Sequence, residues 1–198
     1  MTILDIAYYI AIVANFIVSI VQKRLWRHFY FLYFFITIAV EIFAVYYHHW
    51  QRVYNFLDIF SILFFCLLFI KEIVYKNFLI AITGIALILA VYYIYICNTS
   101  YSIYTGLVFC IYSIFISLNW FYNKIAFQKD TESILERSLF WISCSLLFWS
   151  VFYLFRMMPM YWIQNEDENF LYTLKYIFQV ATVISYILFF KGLLSKKV

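Results

Sequence analysis

Seven apolar runs, separated by short charged or polar stretches, constrain this chain more than any other feature of its sequence. A helix needs about 20 mostly apolar residues to cross the hydrocarbon core of a bilayer, and each run is close to that length. We therefore predict an all-α fold, an integral membrane bundle of seven helices that forms a single domain over residues 1–198. The predicted helices cover about residues 3–21, 28–47, 54–70, 78–96, 101–121, 139–155 and 170–190.

The overall composition supports a membrane-embedded chain. Of the 198 residues, 67% are hydrophobic and 12% are charged, whereas a soluble domain is about half apolar and about a quarter charged. A soluble protein of this size has too little interior to bury so much apolar surface. The first run is not predicted to be a cleaved signal peptide, because Lys23 and Arg24 follow it instead of preceding it.

The distribution of lysine and arginine predicts the orientation of the bundle. Because cytoplasmic loops carry the excess of these residues, we expect the amino terminus outside and the carboxyl terminus in the cytoplasm of a multi-pass protein in the bacterial inner (plasma) membrane. The amino end and the even-numbered loops contain only Arg52 and Arg156. The odd-numbered loops and the carboxyl-terminal tail contain the eleven residues Lys23, Arg24, Arg27, Lys71, Lys76, Lys124, Lys129, Arg137, Lys191, Lys196 and Lys197. The basic face therefore predicts the lipid bilayer as a partner and no direct contact with nucleic acid.

Polar side chains recur every three or four residues on most of the predicted helices, which places them on faces that contact other helices. Within this pattern Glu41, Asp58 and Lys175 are predicted at a similar depth in the outer half of the membrane. A charge at the bilayer centre costs about 2.5–3.5 kcal/mol on insertion scales, so these groups should face one another or water. They form either a pocket for a ligand or a proton, or an interhelical ion pair between Lys175 and one of the acids. The other pocket candidates are Gln179, Arg156, His48 and Asp5.

The sequence contains no catalytic motif, and we expect neither a metal nor a cofactor. His48 and His49 are adjacent and point to different faces of a helix, while His28 lies at the opposite membrane edge, so they cannot share one metal ion. Intramembrane hydrolysis would need a nucleophile beside a base or a metal-binding histidine pair, and neither is present. A retinal Schiff base at Lys175 is not favoured, because this residue lies near the outer end of its helix and aromatic side chains leave no obvious slot. These features favour a non-enzymatic protein.

The longest predicted cytoplasmic connection covers residues 123–138. It either forms a short surface helix or helix cap, or provides a docking point for a cytoplasmic protein partner. The predicted fourth helix carries few polar residues, so it lies against lipid or in a subunit contact, and a homo-oligomer is compatible with the sequence.

The predicted sixth helix begins with Leu139-Phe140-Trp141-Ile142, and a later helix carries Lys175 and Gln179. This pattern resembles a group of uncharacterised seven-transmembrane proteins of Bacteroidota, in which a similar Phe-Trp start to the sixth helix recurs. The length and hydropathy also resemble the small membrane accessory proteins encoded beside RNA-targeting CRISPR effectors. Neither resemblance implies a functional residue.

Two functional hypotheses follow from these observations. The first is a non-enzymatic polytopic membrane protein with a sensory or regulatory role, in which an outer polar layer responds to a ligand or to protonation. The alternative is a membrane accessory protein of a CRISPR or other anti-phage defence system that modulates a nuclease or perturbs the membrane.

Overall fold

The fold was analysed in a computed structural model that describes residues 3–47, 52–96, 102–127, 133–162 and 168–195, with the backbone alone at 158–162 and 168. These segments contain eight α-helices, one 3-10 helix at Ile134–Glu136, and no β-strand. The prediction of an all-α fold is confirmed. The helices are α1 (Ile3–Val21), α2 (Lys23–Trp26), α3 (Tyr30–Tyr46), α4 (Val53–Phe69), α5 (Lys76–Ile96), α6 (Ile103–Phe127), α7 (Ser138–Trp162) and α8 (Glu168–Leu194).

Five of these helices, α1, α5, α6, α7 and α8, are long and apolar enough to cross a membrane. The helices α3 and α4 are also apolar but have 17 residues each, which corresponds to about 25 Å at 1.5 Å per residue. Large apolar side chains face outward on the bundle, for example Leu67, which is 66% exposed, and Ile88, which is 71% exposed. Exposed apolar surface of this extent is typical of a protein that contacts lipid.

Two helices extend well beyond the predicted boundaries. The helix α6 continues to Phe127 because its last polar residues have partners within the fold. Asn123 accepts a hydrogen bond from the Val74 backbone N–H at 3.1 Å, and Lys124 forms an ion pair with Glu72. The helix α7 continues to Trp162 through Pro159. A proline inside a helix removes one backbone hydrogen bond, which the remaining bonds of the helix can tolerate.

Six helices form a closed ring in the order α1, α3, α4, α6, α7 and α8, with α8 returning to pack against α1. The Asn15 side chain fixes this closure by donating from Nδ2 to the Tyr186 carbonyl oxygen at 3.1 Å. The helix α5 lies outside the ring against α4 and α6. This position agrees with the peripheral location expected for the predicted fourth helix.

The helices α7 and α8 are packed closely through small residues. The Ser145 and Ser185 hydroxyl oxygens lie 2.8 Å apart, and each hydroxyl also lies within hydrogen-bond distance of the other residue's carbonyl. A Cβ atom at Gly192 would lie 3.0 Å from Ile142 Cγ1 and 3.1 Å from the Ser138 carbonyl oxygen. Small residues are common between membrane helices because they let the backbones approach.

One half of the ring, which we call the aromatic half, is filled by aromatic side chains around Phe189. The Phe189 ring centroid lies 5.2 Å from that of Phe34, 6.1 Å from Tyr30 and 6.2 Å from Tyr33. Phe65 of α4 completes the cluster at 6.4 Å. The helix α8 thus meets α3 and α4, which are not its neighbours in the ring, and these contacts close the ring.

Basic residues gather beyond the aromatic half, at what we call the basic end. Arg24 donates to the Leu193 carbonyl oxygen at 3.0 Å, which joins the turn after α1 to the end of α8. Arg137 lies 3.4 Å from Glu72, and Lys191 Nζ lies 3.6 Å from the centre of the Trp141 ring. The connections after α1, α4 and α6 therefore meet at the same end of the bundle as the last turn of α8.

Candidate functional site

The half of the ring opposite the basic end is open and encloses a cavity of about 740 Å³. Its walls come from α1, α3, α4, α7 and α8, and α6 contributes Phe109. Lining residues on α8 extend from Lys175 to Phe189, about 21 Å along the helix axis. Pockets for small ligands usually have volumes of about 300–1,000 Å³, so this cavity is large enough for one.

The cavity brings together six of the seven candidate residues that the sequence analysis selected. The seventh, His48, lies outside the described residues, as does His49. The six that line the cavity are Asp5, Glu41, Asp58, Arg156, Lys175 and Gln179. They come from five different helices, so only the assembled ring places them around one space.

Glu41 is held by tyrosine hydroxyl groups from two neighbouring helices. Tyr8 of α1 donates to Oε1 at 2.6 Å, and Tyr54 of α4 donates to Oε2 at 3.3 Å. A carboxylate offers about four lone-pair sites, so two of them remain for other donors. Tyr8 and Tyr54 were not predicted as partners of Glu41, because their proximity to it depends on the ring order.

Asp58 is anchored to the wall between α4 and α6. The Thr105 hydroxyl oxygen lies 3.0 Å from Asp58 Oδ2, 3.0 Å from Asn55 Oδ1 and 2.7 Å from the Ser102 carbonyl oxygen. Asn55 Oδ1 also accepts from the Ser102 backbone N–H at 3.0 Å. Sequence reasoning missed Asn55 and Thr105, although Asn55 precedes Asp58 by three residues and so shares its helix face.

The mouth of the cavity carries the remaining candidates. Gln179 donates from Nε2 to Asp5 Oδ1 at 3.1 Å and so connects α8 to α1. Lys175 is exposed, and it forms no ion pair with Glu41 or Asp58 in the described part of the chain. The interhelical lock that was one interpretation of these residues is therefore absent. The guanidinium of Arg156 lies 5.0 Å from the centre of the Phe178 ring.

The charges of the cavity are divided between two sides of the ring. The carboxylates Asp5, Glu41 and Asp58 lie on the consecutive helices α1, α3 and α4, and the cations Arg156 and Lys175 lie on α7 and α8. A ligand inside the ring therefore has an acidic wall on one side and a basic wall on the other. This separation is a property of the ring order and was not predicted from the sequence.

The expectation that aromatic side chains leave no slot in the bundle is wrong for this half of the ring. The aromatic residues here stand around the cavity instead of filling it, because the side chains between them are short or polar, such as Thr37, Ser61 and Thr182. The aromatic residues that line the cavity are Tyr8, Tyr9, Tyr33, Tyr54, Tyr153, Tyr186, Phe65, Phe109, Phe178, Phe189 and Trp149.

The candidate metal ligands and the candidate docking segment lie only in part within the described residues. No group of three His, Cys, Asp or Glu side chains among them is placed to hold a metal ion. In the candidate docking segment 123–138, Asn123, Lys124 and Arg137 are engaged with Glu72 or Val74 inside the protein. Residues 128–132 lie outside the described chain, while Leu135 and Glu136 are exposed.

Comparison of the chain with protein-family models, with curated proteins and with solved structures finds no match.

Proposed function

We propose that this chain is a non-enzymatic, seven-span protein of the inner (plasma) membrane that binds a small ligand in its cavity and has a sensory or regulatory role. The observation that carries the proposal is the position of the 740 Å³ cavity, which lies at the end of the ring opposite the basic residues. One end of the bundle is thus suited to a ligand, and the other end to anionic headgroups.

The ring supports seven crossings, although five helices alone meet the length expected for a span. The helices α3 and α4 are parts of the same closed ring as the longer helices, and α5 packs directly on α4. A length of about 17 residues is at the lower limit for a transmembrane helix. Both helices therefore fit a span whose ends lie near the headgroup region.

The position of the basic residues supports an orientation with the cavity facing outward. Lysine and arginine concentrate on the cytoplasmic side of membrane proteins, and Arg24, Lys124, Arg137 and Lys191 make their contacts at the basic end. With that end in the cytoplasm, the cavity opens away from it. Small molecules would then enter from the external or periplasmic side.

Accessibility to a membrane-impermeant thiol reagent tests both the orientation and the cavity. Single cysteines are introduced into a variant in which Cys66, Cys97, Cys110 and Cys144 are replaced by alanine. Thr182→Cys, on the cavity wall of α8, is expected to react in intact cells.

Two matched controls make this experiment specific. Ile184→Cys lies two residues further along α8 on a side chain that is 39% exposed on the outer surface of the bundle, where we expect lipid and no reaction. Ser195→Cys follows α8 at the basic end and should react only after the membrane is permeabilised. Reaction of Ser195→Cys in intact cells would reverse the proposed orientation, and an unreactive Thr182→Cys would show that water does not enter the cavity.

A sensory role also requires that the cavity and the basic end respond together. The helix α8 passes through both, since it lines the cavity from Lys175 and places Lys191 on Trp141. A ligand that binds two states of the ring with different affinity would shift the population of these states. A ligand-dependent change in the labelling rate of Leu135→Cys at the basic end would support this role, and an unchanged rate under saturating ligand would contradict it.

A further inference from the structure

Glu41 is a carboxylate on the cavity wall without a positively charged partner among the described residues. Its two hydrogen-bond donors, the Tyr8 and Tyr54 hydroxyl groups, are neutral. The two ion pairs found between described residues both involve Glu72 and lie at the basic end. Glu41 therefore presents a negative charge to the space inside the ring that no described cation balances.

Tyrosine side chains from α1, α4 and α8 line the cavity together with this carboxylate. The Tyr8 ring centroid lies 5.3 Å from that of Tyr9, with an interplanar angle of 59°, and 5.6 Å from that of Tyr186, with an angle of 72°. The Tyr54 hydroxyl bonds Glu41 directly, and Tyr9 and Tyr186 line the same cavity. The rings of Tyr9 and Tyr186 thus stand at steep angles to the ring of Tyr8, and we call these three tyrosines together with Tyr54 the tyrosine box.

This combination has a defined chemical preference. The face of an aromatic ring carries negative potential and attracts a cation, and several rings together recognise alkylated ammonium groups. A carboxylate adds a full opposite charge and a hydrogen-bond acceptor, which a neutral ligand does not need. The hydroxyl groups of Tyr8 and Tyr54 already hold the carboxylate in place, so a bound cation meets an ordered acceptor.

We propose that the cavity binds an organic ammonium compound, with its ammonium group against Glu41 inside the box of Tyr8, Tyr9, Tyr54 and Tyr186. The proposal rests on the ligand-binding role proposed above and specifies the class of ligand. Lys175 lies on α8 and forms no ion pair with Glu41 in the described part of the chain, so it leaves Glu41 available to the cation. Lys175 also suits a ligand that carries a negative group at a distance from its ammonium.

Binding of choline by the purified full-length protein in nanodiscs tests the proposal. The control ligand is 3,3-dimethyl-1-butanol, which has the shape of choline with a carbon atom in place of the charged nitrogen. We expect choline to bind more tightly than this alcohol by about tenfold, measured by calorimetry or by the fluorescence of Trp149 and its neighbours. Equal affinities for the two compounds would overturn the proposal.

The variant Glu41→Gln removes the charge while its side-chain oxygen still accepts from Tyr8. We expect the affinity for choline to fall by about tenfold and the affinity for the alcohol to stay unchanged. The matched control is Glu136→Gln, an exposed glutamate on the 3-10 helix at the basic end, which should bind both compounds like the parent protein. An undiminished affinity of Glu41→Gln for choline would refute the assignment.

A second variant keeps the test decisive if Glu41→Gln does not fold. Tyr9→Leu removes one wall of the box, and we expect it to weaken choline binding by about threefold while leaving the alcohol nearly unaffected. If the alcohol binds as tightly as choline, the proposal of an ammonium ligand is refuted, but the ligand-binding role is still supported. If neither compound binds and Thr182→Cys is also unreactive, both proposals fall.

Discussion

The two halves of the ring are built from the same helices but use their aromatic residues in different ways. In the aromatic half, Phe189 meets Tyr30, Tyr33 and Phe34 across the ring axis and fills it. In the cavity half, tyrosine rings stand along the wall around about 740 Å³ of space. The comparison shows that aromatic content by itself does not close a membrane bundle.

The side chains between the aromatic residues account for the difference. Along α8, Phe189 projects a large ring at the filled level, whereas Gln179, Thr182 and Ser185 are short or polar at the level of the cavity. Lipid does not drive helices together through the hydrophobic effect, so packing and hydrogen bonds decide how closely they approach. A level at which short and polar side chains stand between the aromatic rings stays open, while the filled level holds the ring together.

The largest expected effect is a difference in the free energy of unfolding between variants in the two halves of the ring. Phe189→Ala removes a ring that is 4% exposed and touches two other helices, and we expect the free energy of unfolding to fall by about 3–5 kcal/mol. Phe178→Ala, in the cavity wall, enlarges a space that is already open. The resulting loss in the free energy of unfolding should therefore be less than half as large. Reversible unfolding in mixed detergent micelles measures both values. Equal losses would mean that the cavity half is as well packed as the aromatic half.

Deleting a hydroxyl group that bonds between helices should cost more stability than deleting one that bonds within its own helix. Thr105→Val removes a buried hydroxyl that lies 3.0 Å from both Asn55 Oδ1 and Asp58 Oδ2, and we expect a loss of about 1–3 kcal/mol because buried acceptors lose a donor. In Thr182→Val the hydroxyl that is lost bonds only the Phe178 carbonyl oxygen of its own helix, so about 0.5 kcal/mol or less is expected. The same unfolding assay compares the two. A loss for Thr182→Val as large as that for Thr105→Val would contradict the distinction.

The variant Lys175→Met examines the basic wall of the cavity. Because Lys175 is exposed and makes no ion pair with Glu41 or Asp58, the free energy of unfolding should change by about 0.5 kcal/mol or less. Glycine betaine, which carries a carboxylate near its ammonium group, should lose about two- to fivefold in affinity, while choline should not. A strongly destabilised Lys175→Met would revive the interpretation of Lys175 as part of an interhelical lock.

The smallest expected effect is a pH dependence at the basic end. Burial lowers the pKa of His28, and the charges of Lys71 and Arg27 lower it further, whereas Glu72 acts in the opposite direction. The unfolded chain therefore takes up this proton at a higher pH than the folded chain. The free energy of unfolding should decrease as the pH falls from about 6.5 through the lowered pKa of His28. His28→Gln should flatten this part of the stability profile, and an identical slope in the variant would assign the dependence to another group.

Much of the secondary structure could be predicted because its determinants are local. Hydropathy alone located the seven long helices, and it failed mainly at ends such as Phe127 and Trp162. Before Phe127, Asn123 and Lys124 have partners elsewhere in the fold that keep these polar residues helical. The turn helix α2 was not predicted, since four residues carry too little periodicity. The choice of Glu41, Asp58 and Lys175 also came from a local rule, the cost of charge in lipid.

The partners of these residues could not be predicted in the same way. Glu41 contacts Tyr8 and Tyr54 instead of Lys175, and this follows from how each helix is rotated about its axis. In lipid an apolar face can point outward or toward a neighbour at similar cost, so hydropathy does not fix that rotation.

The sequence by itself determined that the chain is helical and that it is apolar enough for a membrane. It also determined that lysine and arginine concentrate in every second connection between the helices. These properties depend on composition and on spacing within one segment. The tertiary structure alone decided that six helices close a ring, that one half is filled, and that acidic and basic walls face each other across the open half. Those features depend on contacts between residues far apart in the chain, such as Asn15 with Tyr186, which no local pattern encodes.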